Sequence, residues 1–192
     1  CISTTSNCTS PVSTGGSRIV VGGGAADASD SFFPGGGAVA RAGDTSGVRF
    51  GSAHASSGVK IYSGGGDIKV ASEQTTSTTT NDVYGQLWYG GTQLHSGNGM
   101  IDLVNTAGVS ATGIENYGIY IHATTNSPTS VTSTKSSGDA IRVTSTTHST
   151  GNKSNPVLAY SASATDRVRF LATGGGNITM TGTAQGTQSE TY

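Results

Sequence analysis

From residue 47 onward the chain repeats itself, and that repeat leaves few folds open. Four units superimpose: residues 47–82, 83–116, 117–155 and 156–188. Each begins with a short apolar segment, Val48/Phe50, Leu87/Tyr89, Ile119/Ile121 and Val157/Ala159. A second segment follows, clearest as Val59/Ile61 and Val168/Phe170. After a Gly-rich turn comes a third: Ile68/Val70, Ile101/Leu103, Ile141/Val143 and Ile178/Met180. A polar tract of Thr, Ser, Asn and Gly, variable in length, closes the unit. Period-two alternation turns one row of side chains inward and leaves Ser, Thr, Asp and Lys outward.

Strands this short bury too little apolar surface to offset backbone ordering, which costs roughly 1–2 kcal/mol per residue. A unit therefore cannot fold alone. It can fold if successive coils stack, the inward Ile and Val of one covering those of the next. The expectation is an all-β chain, a parallel right-handed β-helix (β-solenoid) of several coils with no substantial helix. Each unit should supply about two coils, with glycines giving positive φ at the corners. A β-sandwich or barrel would need turns at an even spacing of about 8–12 residues, and the repeat has no natural place in one.

Composition agrees with this reading. Gly accounts for 30 of the 192 residues, charged residues for 11%, and Lys+Arg 10 against Asp+Glu 11 leaves a net charge of −1. Among the large apolar residues Val and Ile outnumber Leu, and β-branched side chains suit a pleated surface. The balance of charge excludes the basic footprint of a nucleic-acid binder. It also excludes a polybasic membrane-surface protein, and no apolar run is long enough for a membrane span.

Residues 1–46 form a less regular N-terminal segment, serving as first coils or as a cap; residues 189–192 form a tail around the 47–188 solenoid. SRIVV (17–21) and GAVARAG (37–43) are candidate strands. The Gly-flanked loop between them carries Phe32 and Phe33, which either plug the solenoid end or dock onto a neighbour. Cys1 and Cys8 are the only cysteines. An isolated pair favours a local disulfide over a metal site and implies an oxidising setting. No signal sequence opens the chain, so an exported, extracellular or cell-surface protein would carry its signal elsewhere or have lost it.

Little in the sequence points to catalysis, a cofactor or a metal. His54, His95, His122 and His148 fall in different units without metal-ligand spacing, and the three that follow or sit beside a strand are expected to face solvent. No nucleophile stands at a recognisable spacing from a base. Among the carboxylates, Asp67 and Asp139 precede an inward residue at a turn, where Asp caps backbone. Asp102 alternates with Ile101 and Leu103 and is expected to point to solvent. Asp166, with Arg142, Arg167 and Arg169, completes the set weighed for glycoside chemistry, which needs two carboxylates about 5–9.5 Å apart. The Gly64-Gly65-Gly66-Asp67 turn lacks the tandem nine-residue period of calcium-binding β-rolls. The Thr runs at 75–80 and 144–147 are expected in variable loops, away from any flat ice-binding face. Tyr84, Trp88 and Tyr89 are the best candidates for stacking on a glycan, with half-buried packing the favoured account of the same cluster.

SGGGDIKV (63–70), SGNGMIDL (96–103), YGIYIHATT (117–125) and GGGNITMTGT (174–183) resemble repeats of filamentous haemagglutinin-like bacterial exoproteins, over about residues 47–184. The resemblance implies a right-handed parallel β-helix, export across the outer membrane, and roles in adhesion, matrix or surface structure.

A solenoid with an open end presents unpaired strand edges. The expected partners are copies of the chain stacked head to tail, or the rest of a longer chain. The functional expectation is thus a structural subunit or segment of a surface fibre. An adhesin module binding surface glycans or neighbouring cells is the runner-up, and a carbohydrate-active β-helix enzyme a third class.

Overall fold

The computed structural model describes residues 2–3, 16–22, 38–39, 46–51, 58–74, 82–107, 115–123, 128–148, 155–161 and 164–184. These hold fifteen strands and no helix. Three short strands come first: β1 (Ile2–Ser3), β2 (Ile19–Val21) and β3 (Ala38–Val39). Four coils of three strands follow. The first is β4 (Ser46–Phe50), β5 (Lys60–Tyr62) and β6 (Ile68–Gln74). The second is β7 (Tyr84–Tyr89), β8 (Gln93–His95) and β9 (Ile101–Ala107). The third is β10 (Tyr117–Ala123), β11 (Thr129–Ser133) and β12 (Asp139–Thr147). The fourth is β13 (Val157–Ser161), β14 (Val168–Ala172) and β15 (Asn177–Ala184).

Each coil gives one strand to each of three sheets. Sheet 1 is β4-β7-β10-β13, sheet 2 is β1-β5-β8-β11-β14, and sheet 3 is β2-β6-β9-β12-β15 with β3 also on β6. Every pairing is parallel except β1 on β5, which is antiparallel. The chain is a parallel β-solenoid. Among the described residues each sequence unit makes one coil, not two as the repeat length suggested, with one strand in each of the three sheets. SRIVV supplies β2, and GAVARAG supplies β3.

The register aligns the inward residues into columns. On sheet 3 these are Ile68–Ile101–Ile141–Ile178 and Val70–Leu103–Val143–Met180; on sheet 2, Ile61–Leu94–Val131–Phe170. Sheet 1 contributes Val48–Gln86–Ile119–Val157 and Phe50–Trp88–Ile121–Ala159. The buried members form one continuous apolar column. This corrects the phase expected for β7. Gln86 and Trp88 face inward, while Leu87 and Tyr89 stand in outer rows. Gln86 is tolerated because its amide is fully used. Its Nε2 donates to the Val70 and Val104 carbonyls at 3.1 and 2.9 Å, and its Oε1 accepts from Trp88 Nε1 at 3.2 Å.

Polar ladders hold the corners. Between sheets 2 and 3, Ser96 Oγ donates to the Gly99 carbonyl at 2.6 Å and Ser133 Oγ reaches the same carbonyl at 2.8 Å; Ser63 Oγ bonds Gly66 and Ser96 carbonyls. Gly64, Gly65 and Gly97 in these turns have positive φ, as a left-handed corner requires. Toward the C-terminal end of the sheet 3 strands, Ser72 Oγ donates to Asn105 Oδ1 at 2.9 Å, and Asn105 Nδ2 to the Thr146 carbonyl at 3.0 Å. Gly85 and Gly118 lie against this ladder, where any Cβ would collide with Asn105 or Ser145. Here glycine is needed for close approach, not for φ.

Candidate functional site

The inward columns stay closed through three coils and open at the fourth. Ile178 and Met180 are 42% and 49% exposed, whereas Ile141 and Val143 in the coil below are buried. Phe170 and Val168 are only partly buried. Among the described residues, no strand pairs beyond β13, β14 or β15. This end therefore presents an uncovered apolar cross-section framed by three parallel strand edges, chemically a template for another coil.

The opposite end is built differently. β2 and β3 lie on β6 and continue sheet 3 in parallel, with Val20 exposed. On sheet 2 the terminal strand is the antiparallel β1. The two ends are unlike, so contact between them would be heterologous and would not close on itself.

The outer face of sheet 1 carries a ladder of rings. Tyr84 stacks on Tyr117 at 5.9 Å and on Tyr120 at 5.4 Å between centroids. Tyr120 stacks on His122 at 5.5 Å, and His122 meets Tyr160 edge-on at 4.9 Å. Arg49 lies over Tyr89, 5.2 Å from its centroid. Burial raises the Tyr84 hydroxyl's pKa well above the ordinary tyrosine range, helped by Asp82, whose Oδ1 accepts the Tyr84 hydroxyl at 3.2 Å. Burial likewise pushes Tyr120 up to about 12, with Tyr117 the next contributor. His122 is lowered by burial, against an opposing pull from Asp166.

Of the residues singled out for glycan stacking, Tyr84 and Tyr89 belong to this ladder. Trp88 does not. It is buried in the inward column and meets Phe50 edge-on at 5.1 Å and 78°, so no external ligand can reach it. Within the ladder the rings cover one another's faces, and Tyr160 at 47% is its large exposed member. Cys1, Cys8, Phe32 and Phe33 lie outside the described residues, as does His54.

Asp102 overturns the expectation of a solvent-facing carboxylate. It stands on the outer face of sheet 3 yet is 0% exposed. Arg142 of the next coil grips it with Nε and Nη2 at 2.9 and 2.8 Å, and Lys69 of the previous coil approaches to 3.7 Å. Row position gave the direction correctly; the flanking coils supply the cover. Asp67 caps backbone as expected, accepting the Met100 N–H of the next coil at 2.7 Å. Asp139 accepts the Thr179 hydroxyl at 2.9 Å. His95 and His122 do lie on outer faces, but half-buried beside aromatic rings.

A second correction concerns threonine. Residues 144–147 belong to β12 and not to a variable loop. Thr144 shares a row with Thr181, and Thr146 with Thr183. Val104 stands below Thr144, and Asp102 and Lys69 occupy the adjoining row. The threonine ranks therefore span only part of the face. Residues 75–80 lie outside the described residues.

Among the described residues no group of three His, Cys, Asp or Glu side chains could hold a metal, and no helix is long and apolar enough to cross a membrane. No family model matches the chain, and neither the curated proteins nor the solved structures yield a match.

Proposed function

We propose that this chain is a structural β-solenoid, a subunit or segment of an exported bacterial surface fibre or matrix filament that grows by stacking coil on coil. The observation that carries this reading is the uncovered fourth rung. Ile178 and Met180 end columns that are buried elsewhere, and three strand edges beside them point along the axis. Fully burying an aliphatic side chain stabilises by about 1.5–3 kcal/mol, so even these half-exposed residues favour a further rung. Low charge supports the same reading, since two such ends can meet without strong repulsion. The resemblance to filamentous haemagglutinin-like repeats supports export and a surface location.

The test is assembly of the purified chain, followed by sedimentation velocity and negative-stain electron microscopy. Wild type should form linear species whose length grows with concentration. Met180→Glu places a charge at the open column and should leave monomers with unchanged circular dichroism. A wild-type chain that stays strictly monomeric at millimolar concentration would count against end-to-end growth.

A further inference from the structure

The outer face of sheet 2 changes size from strand to strand. Two outward rows cross it in register: Lys60, Gln93, Ser130 and Arg169, then Tyr62, His95, Thr132 and Leu171. β11 thus sets two small hydroxyl side chains between the larger pairs of β8 and β14. The result is a trough two strand spacings, about 10 Å, across. Its recess has a volume of about 230 Å³, lined by Tyr62, Gln93, Leu94, His95, Ser130 and Thr132.

One wall is held in place. The Tyr62 ring meets His95 edge-on at 5.9 Å and 86°, and the Tyr62 hydroxyl donates to Gln93 Oε1 at 2.8 Å. That bond leaves the Gln93 amide nitrogen as the donor for a ligand, while the Ser130 and Thr132 hydroxyls both donate and accept. The Leu94 side chain is buried in the inner column, so its backbone forms the floor. Burial lowers the His95 pKa, so its imidazole is neutral at neutral pH and also offers one donor and one acceptor. The lining then carries no formal charge. Two cations end the first outward row, Lys60 half-buried and Arg169 exposed to solvent, and both lie outside the lining of the recess.

We infer that the trough over β8 and β11 binds a neutral pyranose, one unit of a glycan chain. A sugar ring presents an apolar C–H face and a rim of hydroxyls. The trough offers the Tyr62 and His95 rings for the first, and an amide, two hydroxyls and an imidazole for the second. The strands concerned belong to the inner coils, so the recess stays open along the side of a stack of any length. The inference does not depend on end-to-end assembly.

The experiment titrates maltohexaose, cellohexaose and mannohexaose, with an oligogalacturonate as the acidic counterpart, into the isotope-labelled full chain. Amide and His95 ring resonances report binding. At least one neutral hexasaccharide should shift β8 and β11 with a dissociation constant of about 1 mM. Tyr62→Ala should weaken it at least about tenfold. Thr132→Phe fills the trough from an outward position, leaves the inner columns intact, and should abolish binding at an unchanged melting temperature. Tyr160→Ala, on sheet 1, should bind as wild type does. Three outcomes overturn the proposal: no shift with any neutral hexasaccharide at about 10 mM, tenfold above that constant; tighter binding of the oligogalacturonate; or binding that survives Thr132→Phe.

Discussion

Asp102 shows how much a single outward residue can matter in a stack. Its carboxylate is buried between two cations contributed by neighbouring coils, so it ties three rungs together sideways. Removing one partner of a fully buried ion pair costs about 3–5 kcal/mol. Because Arg142 is 42% exposed, the figure is discounted, and Asp102→Ala should destabilise by about 2–4 kcal/mol in urea titration. Trp88→Ala should cost about 3–5 kcal/mol and should also perturb Phe50. As the chain's one tryptophan, Trp88 should give a blue-shifted emission that moves red as its coil opens. The sequence made the first of these residues half legible. Alternation along one strand tells which way Asp102 points, but what covers it lies one coil, some forty positions, further on. Trp88 was misread for another reason. Leu87, Trp88 and Tyr89 are all large, so either phase of β7 looks apolar, and the true one requires accepting Gln86 in the core.

Sheets 2 and 3 were the most readable elements. Ile68, Ile101, Ile141 and Ile178 fall into one column as their positions in the four units imply, and Ile61 and Phe170 occupy equivalent places on sheet 2. Coil length was not readable, because the sequence does not say how much of each polar tract is spent between strands. The trough on sheet 2 was invisible for a related reason. It arises from the sizes of residues that become neighbours only after folding, Gln93 beside Ser130 and His95 beside Thr132. The ring ladder of sheet 1 has a pH signature. Tyr120 titrates near 10.0 when unfolded and about 12 when folded, so the folded chain holds its proton after the unfolded chain has lost it. Stability should therefore be complete below about pH 10 and fall as pH rises toward 12, with Tyr120→Phe flattening that fall. For His95 and His122 the sign reverses. Their folded pKa values lie below the ordinary 6.5, so the stability they contribute is present above 6.5 and is lost as pH falls from there through the lower folded values. Urea midpoints measured for wild type and His95→Gln across this range check the slope.

At the scale of the whole molecule, stability is a sum of rungs and of the contacts between them. Among the described residues the middle coils have a neighbour on each side, while the fourth has one. Hydrogen exchange should accordingly be fastest in β13–β15 and slowest in β9 and β10, with a gradient between. Uniform protection from β7 to β15 would show a single cooperative block instead. Addition of a further rung, by assembly, should slow exchange in β15 first.

The antiparallel strand β1 gives such an assembly a grain. Within the molecule every other junction joins strands running the same way, but a neighbour docking its sheet 2 at that end would meet a strand running against it. Hydrogen bonds across that seam would follow a different spacing from those on either side. Each join would thus differ mechanically from the coil-to-coil contacts it separates. A fibre of such units would carry one change of hydrogen-bond pattern on sheet 2 per molecule, a mark that recurs at every join and gives each end of the unit its own identity.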